Sequence, residues 1–598
     1  MRLADAGGEY RNRLNARLEC VARKEREHIR TGNAKLGVVV AGLVMCWFSL
    51  KDRLFAAWWL AVPFLFFVAL AIFHEQVIRV RARSERAAAF YRLGIERMED
   101  RWPGKGATGE RFRDPKHVYS EDLDLFGRGS LFELLSVART PMGESRLAGW
   151  LTSAPGISEV LERQNSAAEL REKLDLREKL AIAGEELSPL LDPEMLVSWA
   201  ESPRVLGHSF VRIIAVLLGI SFVATLIFYF ATASYGPLLV VIALESLVYA
   251  ALEKKAVSAI TGKSSNSEGL SLFAEILREL EGEEFTSPRL QEIAGKFRGT
   301  NKPASQAIQR LARIVNWIDA RESLGAHLAE FPLLYTVQLG YAAENWRQRW
   351  GAHARQWIDA VAELEALLSL AAYSFEHSGD PFPKFELAED SAASFDGEEL
   401  GHPLIPDAQC VRNSVRLGKE SSLLLISGSN MSGKSTLLRT VGVNAVLAMA
   451  GAPIRGKSLR LTPLSLGTSL RTTDSLQEGR SSFYTEILRI RDVFDLSDAP
   501  RPLLFLFDEL LEGTNSKDRR IGSQGILEAL LGRRAIGMVT THDLALTEIT
   551  RSLGSLVRNM HFQDFVEGGK MRFDYILRDG VVTKSNALEL MRLIGLKV

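Results

Sequence analysis

The 598-residue sequence predicts an α/β domain in its C-terminal third, preceded by a mainly α-helical region that contains two apolar helical hairpins. Three observations support this prediction. Short apolar runs within residues 422–541 end in polar residues, which is typical of buried parallel strands. Helical spacing of apolar residues extends over residues 121–201 and 270–372. Two pairs of longer apolar runs, within residues 36–73 and 213–252, each enclose a short turn.

The first strand of the α/β domain leads into a glycine-rich loop. Residues 422–427 form the apolar run, residues 428–435 read Gly-Ser-Asn-Met-Ser-Gly-Lys-Ser, and a helical pattern follows over residues 436–449. This order predicts a phosphate-binding loop, because glycines allow a tight turn that points backbone N–H groups at an anion. Lys434 is expected to contact the β- and γ-phosphates of ATP, and the Ser435 hydroxyl to bind Mg²⁺. The candidate nucleotide-binding residues of the loop are Gly428, Ser429, Asn430, Met431, Ser432, Gly433, Lys434, Ser435 and Thr436.

Two further strands end in residues suited to phosphate chemistry. The apolar run 501–507 is followed by Asp508, predicted to order Mg²⁺, and by Glu509, predicted to be the general base. A solvated loop is the alternative for this acidic pair. The run 535–541 ends at His542, predicted to sense the γ-phosphate or orient water, with a structural histidine as the alternative. The candidate catalytic residues are Glu509, His542 and Lys434, and the candidate metal ligands are Ser435 and Asp508.

A fourth motif lies between these strands and brings a family resemblance with it. Residues 479–486 read Gly-Arg-Ser-Ser-Phe-Tyr-Thr-Glu before a helical pattern, which suits an anion or a plain helix N-cap. Two more motifs follow: residues 508–515 read Asp-Glu-Leu-Leu-Glu-Gly-Thr-Asn, and residues 540–542 read Thr-Thr-His. The order of these motifs after the glycine loop resembles the C-terminal ATPase domain of the MutS family, which belongs to the ABC-type P-loop ATPases. The resemblance implies a composite site between two protomers. Ser481 and Ser482 would face the partner's ATP, and residues 513–515 would lie at the dimer interface.

The sequence departs from the family pattern in three places. Ser429 stands where proline is usual, and Leu511 and Glu512 stand where Gly-Arg is usual. The aromatic residue expected to stack on adenine is absent from residues 410–413. The phosphate chemistry is therefore expected to be intact, whereas no residue is assigned to adenine recognition.

Composition limits the remaining function classes. Hydrophobic residues make up 46% and charged residues 24%, which is ordinary for folded protein. Lys plus Arg and Asp plus Glu number 73 each, so no overall basic field attracts nucleic acid and any DNA contact needs a local patch. The 3 cysteines lack the spacing of metal ligands, which favours a reducing compartment. A cleavable signal is not expected, because the first apolar run begins far from the N-terminus.

The first pair of apolar runs, residues 36–50 and 55–73, is predicted to be a transmembrane hairpin. The second run has about 19 residues, enough to cross a hydrocarbon core of roughly 30 Å. Trp47, Trp58 and Trp59 lie near the shared turn, as interfacial aromatic residues would. Basic residues before and after the hairpin outnumber those of the turn, so both ends are predicted to be cytoplasmic. A buried hairpin in a soluble domain is the alternative.

The helical region supplies a second resemblance to the MutS family, this time to its core domain. Residues 140–143 read Thr-Pro-Met-Gly, Trp150-Leu151 follows, and the next helical pattern carries Arg163-Gln164. Common amphipathic helices are the alternative for this segment.

The second pair of apolar runs, residues 213–231 and 238–252, is also predicted to be a transmembrane hairpin, with an external turn. Glu245 lies within it and is expected to serve helix packing, with a functional contact as the alternative. The hairpin stands where the resemblance implies a DNA-gripping clamp. This placement gives the hypothesis that ATP-driven lever motion is delivered to the bilayer.

The sequence thus predicts a membrane-anchored, MutS-like ATPase that acts as a homodimer on ATP and Mg²⁺ at the inner (cytoplasmic) membrane, with the ATPase domain and both termini cytoplasmic. The predicted partners are a second copy and the lipid bilayer, with DNA left open. No N-terminal mismatch-reading domain or Phe-x-Glu wedge is found, so direct mismatch recognition is not expected. A membrane-tethered DNA repair or recombination factor and an ABC-transporter-like ATPase remain alternatives. The predicted segments are 1–110 for a basic arm and first hairpin (about 36–73), 111–205 for the helical core, 206–256 for the second hairpin, 257–376 for the helical lever, 377–401 for a linker and 402–598 for the ATPase domain.

Overall fold

The computed structural model describes residues 5–51, 56–207, 209–260, 266–299, 302–320, 333–386, 392–429, 431–470, 482–543, 546–547, 553–567 and 570–582, without the side chains of residues 57, 209, 482, 566, 567, 570 and 571. The chain divides into two compact units. The first comprises Met1–Gly106, Leu174–Ile182 and Phe375–Ser378, and the second comprises Ala107–Lys173, Ala183–Ser374 and Gly379–Val598.

Helices predominate before residue 380 and strands after it. The α-helices are α1 (Ala6–Lys51), α2 (Ala61–Met98), α3 (Leu131–Leu135), α4 (Pro141–Thr152), α5 (Ile157–Arg171), α6 (Leu174–Leu187), α7 (Pro193–Glu201), α8 (Ser209–Thr232), α9 (Gly236–Ile260), α10 (Ser267–Gly282), α11 (Pro288–Arg298), α12 (Ala304–Ala320), α13 (Tyr335–Glu376), α14 (Lys434–Ala450), α15 (Ser482–Leu496) and α16 (Ser516–Leu531). Short 3₁₀ helices cover Ala57–Leu60, Glu110–Phe112 and Gly554–Leu556. The strands are β1 (Lys384–Phe385), β2 (Phe395–Leu400), β3 (Asn413–Leu417), β4 (Leu423–Ser427), β5 (Ser458–Leu461), β6 (Ser465–Ser469), β7 (Leu503–Phe507), β8 (Ala535–Thr541), β9 (Val557–Glu567) and β10 (Lys570–Asp579).

In the first unit, α1 and α2 pack against each other as a long helical hairpin. Tyr10, Phe90 and Tyr91 form the centre of its core. Arg97 donates through Nε to Glu376 Oε2 at 2.7 Å, and Tyr10 donates to the same carboxylate at 3.2 Å. The buried carboxylate is therefore both charge-paired and hydrogen-bonded, which a charge taken out of water requires.

In the second unit, a six-stranded sheet has the order β10-β9-β4-β8-β7-β6. All neighbours are parallel except β10, which is antiparallel to β9. Every residue of β4, β7 and β8 is buried, because helices cover both faces of a parallel sheet. This burial explains why the three strands read as uninterrupted apolar runs.

A second sheet, of order β1-β5-β2-β3, lies in the segment before and after the glycine loop. Two of its strands, β1 and β2, fall within residues 377–401, the segment predicted to be a linker. In β2, Phe395 and Leu400 are buried, whereas Asp396 and Glu398 are partly exposed. The linker prediction is therefore wrong for β1 and β2. The acidic residues of the exposed face give this segment the composition of a linker, but its buried and exposed residues alternate as in a half-buried strand.

The Thr-Pro-Met-Gly turn begins α4 and binds α13. Thr140 caps the helix by accepting the N–H of Gly143 at 3.2 Å, and the Thr140 hydroxyl donates to Glu365 of α13. A Cβ at Gly143 would lie 2.7 Å from Cβ of Glu365, so a larger residue there would push α4 away from α13. The turn therefore fastens the middle of α13 to the helical core.

The second hairpin, α8 and α9, packs at its base against the start of α13. Leu206, Ala256 and Tyr341 belong to the shared apolar cluster. Glu344 of α13 accepts the N–H groups of residues 205 and 206 at 2.6 and 2.8 Å. Glu245 of α9 is fully buried, and its two carboxylate oxygens have no hydrogen-bond partner among the described residues.

Four helical segments in the described part of the chain are long and apolar enough to cross a membrane. They are Ala6–Lys51, Trp58–Met98, Phe210–Thr232 and Gly236–Ile260. Length and composition alone identify them, and between 0% and 11% of the most apolar window of each is buried.

Candidate functional site

The candidate site lies at the carboxyl-terminal edge of the six-stranded sheet. The glycine loop follows β4, the acidic pair Asp508–Glu509 follows β7, and His542 follows β8. Because β8 lies between β4 and β7 and all three are parallel, their carboxyl ends meet at one edge. The sheet order therefore brings the candidate catalytic residues together.

The glycine loop turns through left-handed backbone conformations into α14. Gly433 has a φ of 100° and Met431 a φ of 72°. A Cβ at Gly433 would lie 3.0 Å from Cδ1 of Tyr575, so glycine serves both the turn and the close approach of that ring. The N-terminal N–H groups of α14 face the loop, where a helix favours an anion. Asn430 lies outside the described residues.

Lys434 is buried at the floor of the loop, with 5% of its side chain exposed. Its Nζ donates to the carbonyl oxygens of Gly428 at 2.8 Å and Ser429 at 2.9 Å, and lies 3.7 Å from Glu509 Oε1. Burial lowers the pKa of Lys434, and the charges of Glu509 and Asp508 oppose that shift. The ammonium group is thus held where a phosphate oxygen could replace carbonyl partners.

The acidic pair is held by Thr540, a residue that the sequence analysis did not select. The Thr540 hydroxyl donates to Asp508 Oδ1 and accepts the N–H of Glu509 at 3.1 Å. Glu509 has a φ of 54°, an unfavourable backbone conformation for a non-glycine residue that this hydrogen bond helps to hold. The available signal was a pair of hydroxyl residues, Thr540 and Thr541, at the end of an otherwise apolar, fully buried strand.

His542 contacts the second carboxylate of the pair. Its Nδ1 lies 3.3 Å from Glu509 Oε2. Glu512 lies nearby, and ligand atoms of Glu509, Glu512 and His542 all fall within 4.8 Å of one another. Glu512, which the sequence analysis treated only as a departure, therefore adds negative charge beside the general-base candidate.

A cavity of about 930 Å³ lies beside these residues. Ser435, Thr436, Asp508 and Glu509 line one side of it. Ser435 and Asp508 supply hydroxyl and carboxylate oxygens, the ligands that Mg²⁺ prefers, so the residues present fit that ion. Sites for small molecules typically have volumes of roughly 300–1,000 Å³, so this cavity is large enough for one.

Aromatic residues from the last two strands also line the cavity. Phe562 of β9 and Tyr575 of β10 line it. Asn413 holds β10 in place, because its Nδ2 donates to the Tyr575 carbonyl at 2.9 Å and its Oδ1 accepts the Leu577 N–H at 2.8 Å. Residues 410–413, where the family resemblance implies an aromatic ring, contain none. The structure brings the ring to that place from a distant strand.

Of the Gly-Arg-Ser-Ser motif, residues 479–482, the structure describes only the backbone of the last residue. Ser481 lies outside the described residues, and Ser482 begins α15 but its side chain is not described. Glu486, buried on α15, accepts the N–H of Leu511 at 2.6 Å, and burial raises the pKa of this carboxyl. A Cβ at Gly513 would lie 2.8 Å from the Phe483 side chain. The start of α15 is thus fixed to the segment that follows the acidic pair.

The fold and the site define an α/β domain of the class that binds its ligand at the carboxyl ends of parallel strands. The family model for MutS domain V matches residues 424–597 of this chain. Residues 424–597 therefore match a MutS domain, and the resemblance of the C-terminal ATPase segment to the MutS family is confirmed.

Individual relatives agree with this assignment. The chain is 38% identical over 203 residues to the endonuclease MutS2 of Thermus thermophilus, a match that covers 33% of this chain and 25% of the relative. It is 31% identical over 245 residues to the DNA mismatch repair protein MutS of Geobacillus kaustophilus, covering 40% of this chain and 26% of the relative. It is 30% identical to the DNA mismatch repair protein MutS of Streptococcus equi, and that match covers 40% of this chain and 28% of the relative. The chain thus matches only about a quarter of the length of these relatives.

Proposed function

We propose that this chain is a membrane-anchored, MutS-like ATPase that binds and hydrolyses Mg²⁺-ATP in the cavity beside the glycine loop. The observation that carries the proposal is the meeting of Lys434 and the pair Asp508–Glu509 at one cavity. His542 lies behind this pair, 3.3 Å from Glu509, and each of these groups follows a different parallel strand. A cation in a glycine loop and a pair of carboxylates across from it suit a polyphosphate with its metal ion.

Each residue has a separate task in this reaction. The loop N–H groups and Lys434 bind the phosphate oxygens. Ser435 and Asp508 would hold Mg²⁺, which supplies electrophilic stabilisation of the phosphates. Glu509 accepts the proton of the attacking water, and His542, 3.3 Å away, orients that carboxylate or the water.

The aromatic wall supports recognition of the base. Tyr575 projects into the cavity with 43% of its surface exposed, and Phe562 lies beside it. An exposed ring in a cavity offers a face for stacking on a purine, an interaction that contributes about 1–3 kcal/mol. We therefore assign the adenine to Tyr575.

A second copy of the chain completes the site in this proposal. Ser481 and Ser482 would act on the partner's ATP. The support is the packing of α15, whose residues Phe483 and Glu486 contact the segment just after Glu509. A movement of the acidic pair would reach the start of α15 directly, and with it the dimer interface.

The hairpins are proposed to lie in the inner membrane, with the ATPase domain and both termini in the cytoplasm. The support is the length and exposure of the four apolar helices. Trp58 and Trp59 stack at 4.4 Å between ring centroids near the first turn, as amphipathic rings at a membrane interface would.

Helix α13 is proposed to carry motion from the ATPase region to the second hairpin. Its start contacts the hairpin base through Tyr341 and Glu344, whereas Glu365 contacts the helical core. These positions are about 30–35 Å apart along a helix that rises 1.5 Å per residue. The core in turn contacts the ATPase domain, because Asp122 accepts hydrogen bonds from Thr468 and the N–H of Leu470.

DNA binding is the second candidate function, favoured by the names of the relatives, which include DNA mismatch repair proteins. Salt-dependent binding of duplex or junction DNA to the purified protein would support it. The ABC-transporter-like alternative is less favoured, because residues 424–597 match a MutS domain.

Hydrolysis by the detergent-solubilised full chain tests the ATPase proposal. Lys434→Ala and Glu509→Gln should each reduce the rate of phosphate release by about 100-fold or more. Lys457→Ala is a matched control, because Lys457 is a surface lysine of the same domain with 63% of its side chain exposed. An unchanged rate in both site variants would contradict the site assignment.

A labelling experiment tests the membrane proposal. Ser234→Cys at the second turn should react with a membrane-impermeant maleimide from outside intact cells, whereas Ser516→Cys should react only after permeabilisation. Equal reactivity of the two positions in intact cells would contradict the proposed topology.

A further inference from the structure

We propose that Glu509, Glu512 and His542 bind a first-row transition-metal ion such as Zn²⁺, and that the bound ion inhibits ATP hydrolysis by occupying the general base. The two acids follow β7, and the histidine follows β8. One ligand atom from each of the three side chains lies within 4.8 Å of the other two. The metal binding depends only on this cluster, whereas the inhibition rests on the proposed ATPase function.

The cluster is reached from the solvent and not through the nucleotide cavity. Ser435 and Asp508, the residues that fit Mg²⁺, line that cavity. Glu512 and His542 are not among the described residues that line it. Both are exposed, His542 with 43% of its side chain, so an ion from solution can contact them directly. The cluster is therefore a second cation site beside the candidate Mg²⁺ site.

The Glu509 carboxylate belongs to both places. Its Oε1 lies 3.7 Å from Nζ of Lys434, and its Oε2 lies 3.3 Å from Nδ1 of His542. Two ligand atoms that each lie about 2.0–2.2 Å from one metal ion have a separation of this size. An ion between Oε2 and Nδ1 would leave Oε1 directed towards Lys434.

The charges around the cluster favour a cation. Asp508, Glu509 and Glu512 are carboxylates, and the positive groups that act on this region are Lys434 and Arg519. The guanidinium of Arg519 donates to two backbone oxygens, those of residues 511 and 512. The carboxylates thus outnumber the positive groups, and a divalent cation would reverse the repulsion among them.

The histidine nitrogen decides which metal fits. Mg²⁺ and Ca²⁺ prefer oxygen ligands, whereas imidazole suits Zn²⁺ and its neighbours in the first transition series. One imidazole and two carboxylates leave coordination positions for water. The cluster therefore favours a different ion from the Mg²⁺ that accompanies the nucleotide.

Metal binding would suppress the base function of Glu509. A carboxylate coordinated to a divalent cation attracts a proton less strongly, because the positive charge stabilises its ionised form. The glycine loop and Lys434 take no part in the cluster, so ATP can still bind. We expect hydrolysis to slow as the metal site fills.

The first measurement is calorimetric titration of the detergent-solubilised full chain with zinc chloride, without nucleotide. Glu512→Gln keeps the size of the side chain and removes its charge, so it should weaken Zn²⁺ binding about tenfold or more. Glu420→Gln is the matched control, because Glu420 is a surface acid of the same domain with 70% of its side chain exposed. Its affinity should equal that of the unmodified chain. The 3 cysteines are present in all of these proteins, so Zn²⁺ bound by thiols would not distinguish them.

The second measurement is phosphate release at saturating Mg²⁺-ATP, with each protein compared with its own rate in the absence of Zn²⁺. Buffered free Zn²⁺ should slow the unmodified chain and Glu420→Gln about tenfold or more, and Glu512→Gln less than about twofold.

The two measurements separate the possible failures. Equal Zn²⁺ affinity of Glu512→Gln and Glu420→Gln would overturn the metal site, whatever the ATPase activity. Tight binding without inhibition at the same Zn²⁺ concentration would overturn the inhibitory role and leave the ATPase assignment intact. A chain that hydrolyses no ATP would overturn both the proposed function and the inhibitory role, whereas calorimetry would still decide the metal site.

Discussion

The hydroxyl of Thr540 bonds the Asp508 carboxylate and the Glu509 backbone, so Thr540→Val separates the positioning of the acidic pair from its chemistry. The hydroxyl donates to Asp508 and accepts the N–H of Glu509 at 3.1 Å. A hydrogen bond to a charged group contributes about 1.5–3 kcal/mol, and leaving a buried N–H unsatisfied costs about 1–3 kcal/mol. Since 1.4 kcal/mol is about tenfold in rate, we expect the turnover number to fall about 10- to 100-fold. The free energy of unfolding should fall by about 1–3 kcal/mol.

The assay is phosphate release at saturating ATP by the solubilised full chain, alongside thermal denaturation. Thr462→Val is the matched control, because Thr462 is 2% exposed and its hydroxyl accepts the N–H of Ser394 at 3.1 Å, just beyond the ends of β5 and β2 in the other sheet. This variant should lose comparable stability while its turnover number stays unchanged. A folded Thr540→Val variant whose turnover number is within about twofold of that of Thr462→Val would refute the positioning role.

The remaining predictions concern the cavity wall and the helical core. Tyr575→Ala should weaken ATP binding about tenfold, whereas Tyr575→Phe should retain it, as measured by equilibrium titration; equal affinities would exclude stacking. Gly143→Ala should destabilise the protein by about 1–3 kcal/mol because its Cβ meets Glu365, whereas Gly149→Ala in the same helix should be neutral or stabilising in thermal denaturation. Burial raises the pKa of Glu365 to about 7, so the unfolded chain loses this proton first as the pH rises, and stability should fall between about pH 4.5 and 7. Glu365→Gln should flatten that fall; an identical pH profile would show that another group causes it.

The parallel strands were predictable because they are buried on both faces. The apolar runs 422–427, 501–507 and 535–541 correspond to β4, β7 and β8 within two residues at each end. Once the strands are placed side by side, the residues just after them must meet at one edge. Local sequence therefore sufficed to place Lys434 and the acidic pair at that edge.

Long-range packing was not predictable in the same way. Tyr575 reaches the cavity only because Asn413, more than 160 positions earlier in the chain, holds the β10 backbone through two hydrogen bonds. No local pattern signals such a contact. Likewise, the acidic exposed face of β2 has the composition of a linker. The other face of β2 is buried only because the strand pairs with β3 and β5, which lie elsewhere in the chain. The role of Thr540 is not predictable locally either, because Thr540 and Thr541 both end β8 and only the contact with Asp508 distinguishes them.

The lysine at the head of α14 already has two partners inside its own loop, the peptide oxygens of Gly428 and Ser429. An ammonium group has three donors, and the third lies on the side of Glu509, 3.7 Å away. In the proposed function, a first phosphate oxygen could use that third donor, and any further one would have to exchange with a peptide oxygen of the loop. The measured affinity would then include the cost of each loop bond that is given up.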